Sequence, residues 1–281
     1  MLRHRVQSGL LLGAALLAAI FLLPPLGVLP ILLLVTFLGL REFYSFLDAR
    51  QIPHFKAIGL TGGLILVASV WAVNYFQLSL GLEVEAIILF LVFAAILFRQ
   101  LGPLPTERLF DTLGGTLLGI LYVPFLFNFI VKLLTVWGDG PGRLLVLYLA
   151  VVVKFTDMGA FFIGCAIGRH KLLPRVSPAK TWEGVIGGLL VGAGMGWVYW
   201  WIVARWTTEF VMPPLQIIGI GILLSAFGIV GDLIESLLKR ASGVKDSGAI
   251  IQGMGGLLDV LDSLLFAAPA LYIALRILYP V

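Results

Sequence analysis

Nine apolar runs divide this chain, each long enough to cross a ~30 Å hydrocarbon core as a helix. They fall at 8–23, 26–47, 57–77, 84–101, 110–136, 144–165, 184–205, 214–238 and 257–278. The fold class they dictate is an all-α, polytopic transmembrane helical bundle. Composition agrees: 60% of residues are hydrophobic and 12% charged, whereas a soluble domain carries about 25% charged residues. Two runs are weaker than the rest. The first is short, and the second carries Arg41 and Glu42 near its end.

The N-terminus has a basic start, an apolar run and small residues, as a secretory signal does. It lacks an A-x-A cleavage site and passes directly into a second long apolar run, so it reads as a retained first helix. Pro24-Pro25 marks the joint between them, since proline removes a helical hydrogen bond. Basic or mixed joints hold Arg3/Arg5, Arg50/Lys56, Arg99/Arg108, Arg169/Lys171/Arg175/Lys180 and Lys239/Arg240/Lys245. Between them lie Pro24-Pro25, a joint ending in Glu83 and Glu85, residues 138–143 and residues 207–210. With nine spans, all five basic joints share one side, which the positive-inside rule makes the cytoplasm. The N-terminus is then cytoplasmic and the C-terminus external. Spans one to four (1–105) form an N-terminal region, and spans five to nine (106–281) a C-terminal region that gathers the residues with chemistry to do.

Several motifs read as structure. Gly184, Gly188, Gly192 and Gly196 recur every four residues, a face that lets helices approach closely; its expected partner is span eight or nine. Trp197, Trp200, Trp201 and Trp206 suit the lipid interface. Cys165, the one cysteine, sits in an apolar run and reads as packing; alone it excludes an internal disulfide. The three histidines, His4, His54 and His170, are scattered, and no metalloprotease, hydrolase, P-loop or nucleic-acid motif occurs.

The stretch 231–263 reads differently. Ionisable groups at membrane depth cost roughly 2.5–3.5 kcal/mol each at a helix centre, yet Asp232, Glu235, Lys239, Arg240, Lys245, Asp246, Asp259 and Asp262 all fall here. Asp232, Glu235, Ser236, Lys239 and Arg240 share one helical face. Glu235–Lys239 reads as an i,i+4 salt bridge at a solvated helix end; Asp232 lies deeper and needs a metal, a cation or a proton. Asp259 and Asp262 share a face inside the ninth run, and carboxylates without His or Cys suit Mg²⁺. The glycine run ending in Gly255 and Gly256 offers backbone N–H groups to an anion at a helix N-terminus. Upstream, Asp157, Phe161, Gly164 and Gly168 line one face of span six, with Lys154 one turn before Asp157. Ser177-Pro178 reads as N-cap and first residue of span seven. That start puts Lys180 in the first turn, where a cation opposes the helix dipole unless an anion also binds. A cytoplasmic bowl of carboxylates, cations and helix N-termini suits phosphoryl or nucleotidyl transfer with Mg²⁺ on a membrane-borne substrate.

These residues also resemble a known family. Ser236-Leu-Leu-Lys239-Arg240, then Lys245-Asp246-Ser-Gly, then Gly253-Met-Gly255-Gly256-Leu-Leu-Asp259-Val-Leu-Asp262 is similar to the signature of phosphatidate cytidylyltransferases (CDP-diacylglycerol synthases). Asp157-x-x-Ala160-Phe-x-x-Gly164-x-x-x-Gly168 and Ser177-Pro178-x-Lys180-Thr-x-Glu183-Gly184 resemble two further blocks of that family. The similarity runs from about 150 to 275. Gln252, Met254 and Val260 depart from the family's Pro, His and Arg, which bears on substrate affinity and pH profile more than on the reaction.

The resemblance implies transfer of the cytidylyl group of CTP to phosphatidic acid in phospholipid biosynthesis, at the cytoplasmic face of a cell's inner membrane. It implies a metal site of Asp232 and Asp259 holding Mg²⁺, with a second, monovalent cation left open. Asp246, Asp262 and Lys239 are the catalytic candidates. Asp157, Ser177, Lys180, Ser236, Arg240, Lys245, Gly255 and Gly256 are the substrate- and phosphate-binding ones. The bilayer is a partner, nucleic acid is not, and a homodimer is compatible. Alternatives are a polyprenol kinase or similar CTP-dependent lipid enzyme, a secondary transporter using the acids as an ion path, and an inactive scaffold.

Overall fold

A computed structural model describes residues 18–80, 83–101, 108–207, 212–244 and 256–279. Most of the first apolar run lies outside these residues, as do Lys245, Asp246, Gln252, Met254 and Gly255. The described chain is a set of apolar helices: α1 (Pro25–Ala49), α2 (Lys56–Tyr75), α3 (Glu83–Gln100), α4 (Leu109–Ile120), α5 (Leu126–Val136), α6 (Asp139–Ile167), α7 (Trp182–Val203), α8 (Pro214–Ser242) and α9 (Leu258–Leu278). A π-turn at Leu121–Phe125 joins α4 to α5. Pro124 sits within that turn and has no N–H to continue the α-helical ladder. Counting Leu109–Val136 as one span, seven helices among the described residues are long and apolar enough to cross a membrane. Helix α3 is not among the seven; Glu83, Glu85 and Arg99 fall within its 18 residues.

The chain divides into two compact units, 1–136 with 241–260, and 137–240 with 261–281. In the first, α2 packs against α1, α3 and α5. Tyr44 is fully buried, donates its hydroxyl to the Thr116 carbonyl at 3.0 Å and stacks on His54 with centroids 5.0 Å apart. Small residues make room for it: a Cβ on Gly119 would stand 2.6 Å from the Tyr44 ring. Glu85, on α3, is buried with its charge matched. Its carboxylate meets Lys132 Nζ at 2.6 Å and accepts from Asn128 Nδ2 at 3.2 Å.

In the second unit the glycine face of α7 lies on α6 rather than chiefly on the later helices. A Cβ at Gly188 would come within 2.9 Å of the Thr156 carbonyl, and one at Gly196 within 2.8 Å of Val152. Only at Gly192 does α8 also enter, where the Thr156 hydroxyl donates to Ser225 Oγ at 2.7 Å. The repeat identifies a close contact, and chain order gives α6 the first opportunity to fill it. Tyr148 and Tyr199 donate their hydroxyls to the Ile217 and Leu144 carbonyls at 2.9 and 2.8 Å, which satisfies both groups away from water.

Between α6 and α7 stands the one β-structure among the described residues, a two-stranded antiparallel ribbon of β1 (Lys171–Leu173) and β2 (Ser177–Thr181). It corrects the expected start of the seventh span. Ser177 is a strand residue paired with Leu173, and Pro178 follows it in a strand whose one neighbour leaves an edge that tolerates proline. The N-cap is Thr181, whose Oγ1 accepts the Gly184 N–H at 3.1 Å. Glu183 ties the ribbon's base to the helix, accepting the Arg169 and His170 N–H groups at 3.1 and 3.2 Å and pairing with His170 Nδ1 at 2.6 Å.

Candidate active site

Glycines on α8 set the geometry of the acidic site. Gly228 and Gly231 are one turn apart and both face α9. A Cβ on Gly231 would meet Ser263 Cα and Phe266 Cβ at 3.1 Å, and one on Gly228 would lie 3.7 Å from Ser263 Cβ. This close approach brings Asp232 and Glu235, within the turn that follows Gly231, to Asp262. One carboxylate oxygen from each of the three lies within 4.8 Å of the others. Glu235 and Asp262 are 1% and 6% exposed. Asp262 Oδ1 also accepts the Ser263 N–H at 2.6 Å, which holds its rotamer.

Two lysines reach the cluster. Lys180 Nζ, on β2, stands 2.7 Å from Asp232 Oδ2. Lys239 Nζ is 2.5 Å from Glu235 Oε2. With Thr181 as the N-cap, Lys180 lies in β2 just before the helix rather than in its first turn, and its charge is matched by Asp232. Ser236 Oγ makes a long contact of 3.5 Å to Asp232 Oδ1. Lys154 Nζ pairs with Asp157 at 3.6 Å.

A cavity of about 250 Å³ opens beside these groups. Asp157, Lys180 and Asp232 supply its polar wall, and Phe161, Val185 and Ile229 its apolar one. Such a mixed lining fits a substrate with a charged head and a greasy body. Cys165 lines the same cavity and is exposed, contrary to the expectation that it packs in the core. It sits in the last turn of α6, which ends at Ile167.

The structure therefore joins Asp157, Lys180, Asp232, Ser236, Lys239 and Asp262, all expected from the sequence. It adds Glu235, which the i,i+4 pattern with Lys239 disguises as a surface ion pair. Arg240 is exposed in the last turn of α8, and Ser177 is half-buried in β2. The metal pair expected from the sequence, Asp232 and Asp259, belongs to different compact units. Asp259 Oδ2 accepts the Gly256 N–H at 2.6 Å. The next two amides, Leu257 and Leu258, donate to the two carboxylate oxygens of Glu42 at 2.8 Å each. The helix N-terminus read as a phosphate cradle thus already holds carboxylates of the protein, and the Gly256 amide is engaged rather than open. The donors at the three-acid cluster are all carboxylate oxygens, a set that fits a hard divalent cation.

The sequence profile of the cytidylyltransferase family matches residues 3–278. Phosphatidate cytidylyltransferase of Bacillus subtilis (strain 168) is 32% identical over 277 residues, covering 98% of each chain. That of Haemophilus influenzae (strain Rd) is 34% identical over an alignment of 286 residues, covering 96% of each. That of Staphylococcus aureus (strain COL) is 43% identical over 130 residues, 46% of this chain and 48% of the other.

Proposed function

This chain belongs to the cytidylyltransferase family, and on that premise we infer that it transfers the cytidylyl group of CTP to phosphatidic acid, giving CDP-diacylglycerol and pyrophosphate. The observation that carries the reading is the meeting of Asp232, Glu235 and Asp262 within 4.8 Å, beside a cavity whose polar wall includes Lys180. Asp232, Glu235 and Asp262 are the ligands we assign to Mg²⁺. Asp259, one turn before Asp262 on α9, is a further ligand on the strength of the family resemblance. When bound, Mg²⁺ would neutralise phosphate oxygens and ease the approach of two anions.

A phosphate oxygen of the lipid attacks the α-phosphorus of CTP, and the bond to the β-phosphate bridging oxygen breaks. The attacking oxygen is already anionic at neutral pH, so no strong base is required. The protein's tasks are alignment and charge neutralisation. Lys180 and Lys239 would counter phosphate charge, and their partners Asp232 and Glu235 would hold the cation. Arg240 and Lys245 would add to this, Ser177, Ser236 and Gly255 would hold phosphates, and Asp246 would support the cation. Asp157, held by Lys154, shapes the polar end of the cavity, and Phe161, Val185 and Ile229 receive the lipid's apolar part. The five basic joints support nine spans, a cytoplasmic N-terminus and a site open to the cytoplasm at the inner membrane.

The test is direct. Purified protein, labelled CTP, phosphatidic acid and Mg²⁺ should yield a labelled lipid on thin-layer chromatography. Glu235→Gln and Asp259→Asn, assayed side by side, should each lower turnover by at least about a hundredfold, the scale of losing a positioned charge in a transition-state site. No labelled lipid at any Mg²⁺ concentration would overturn the reading.

A further inference from the structure

Glu42 lies in the half of the chain that carries no recognised motif. It appears in the sequence only as an awkward acid near the end of an apolar run. In the structure it is 3% exposed and reaches 215 and 216 residues along the chain to accept the Leu257 and Leu258 N–H groups, one on each oxygen, both at 2.8 Å. The first amides of a helix have no partner within it, and a carboxylate there is favoured by both hydrogen bonding and the helix dipole. Asp259 closes the same opening by accepting the Gly256 amide. Consecutive amides at 256, 257 and 258 are therefore engaged by two carboxylates, one of which is a candidate metal ligand.

We propose that Glu42 is a positioning residue for the metal site: by fastening the first turn of α9, it holds Asp259, and Asp262 one turn later on the same helix, at the rotation the cation needs. The inference rests on the acid assignments made above. Helix ends fray, and local stability is lowest where backbone groups lack partners. Each helical residue turns by about 100°, so unwinding one residue at this end would swing Asp259 off its face. A side chain that served only packing would not need two oxygens on two successive amides. Nor would it need to be ionisable, since a buried carboxylate is unfavourable unless its hydrogen bonds are made.

The experiment measures Mn²⁺ binding by electron paramagnetic resonance on full-length protein in detergent, without substrate, together with the size-exclusion profile and melting temperature. Glu42→Gln keeps shape and size but can accept at only one of its two terminal atoms. It should elute as the wild type does and bind Mn²⁺ at least about tenfold more weakly. In turnover assays its Mg²⁺ requirement should rise by the same factor while KM for CTP at saturating Mg²⁺ stays within about twofold. Should Glu42→Gln fail to fold, Glu42→Asp, which keeps the charge and shortens the reach, is read on the same scale, with a threefold or greater weakening expected. Asp262→Asn is the control for the acid cluster. Lost Mn²⁺ binding in Asp262→Asn beside unchanged binding in the Glu42 variant overturns the proposal alone. Unchanged binding in both overturns the cluster assignment and the proposal with it.

Discussion

Replacing Asp262 by Asn should make the metal-free protein more stable and the metal-loaded protein less so. Three carboxylates with oxygens within 4.8 Å would, with all three ionised as the cation requires, repel one another by about 3.5 kcal/mol per pair at an effective dielectric constant near 20. Asp262 takes part in two of the three pairs, so about 7 kcal/mol of gross repulsion involves it. Lys180 and Lys239, at 2.7 and 2.5 Å from Asp232 and Glu235, and the solvent around half-buried Asp232 offset most of this. A net gain of about 1–2 kcal/mol is the expected remainder. Asn preserves the volume, and its Oδ1 can still accept the Ser263 N–H, so no packing loss hides the effect. On the scale of soluble domains this is roughly 2–8 °C in melting temperature. Tryptophan fluorescence in detergent, heated in EDTA, reads it. Mg²⁺ at a hundred times its Kd should then stabilise the wild type by about 2.7 kcal/mol and the variant far less, reversing their order. If Asp262→Asn melts below the wild type in EDTA, or if Mg²⁺ shifts both alike, the three acids do not form one cation site.

Two further predictions concern the scaffold. Gly188→Leu should abolish a monodisperse elution peak in detergent, because even a Cβ there would lie 2.9 Å from the Thr156 carbonyl; Gly194→Ala, with nothing within 4 Å of the added carbon, should elute and melt as the wild type does. Lys132→Met should cost about 3–5 kcal/mol by leaving Glu85 buried without its cation, and the double variant Lys132→Met/Glu85→Leu should recover most of it. Equal melting temperatures for the single and double variants would refute the coupling.

What the sequence reveals depends on whether a pattern is local. The apolar runs are local, and α1 to α9 follow the second to ninth runs closely. The glycine repeat is local too, so the close helix contact is legible, but its partner is not: no feature of residues 184–196 says whether α6, α8 or α9 will fill the groove. Pro178 misleads because proline suits both a first helical turn and an edge strand, and the pairing that decides between them involves Lys171 and Leu173. Glu235 is hidden by its own salt bridge, since the i,i+4 spacing to Lys239 describes a solvated pair equally well. The signal that would have found it is the Gly228–Gly231 spacing beside Asp232, which marks where α8 touches another helix. Glu42 has no local signal at all beyond being an acid where lipid is expected.

That last contact also sets an order of events during synthesis. Glu42 emerges 216 residues before Leu258. At about 5–20 residues per second, its carboxylate waits roughly 10–40 s in the inserting chain before the amides that receive it exist. The first compact unit cannot close until residues 241–260 have been made. For that interval the nascent chain carries an acid whose two amide partners, Leu257 and Leu258, have not yet been made.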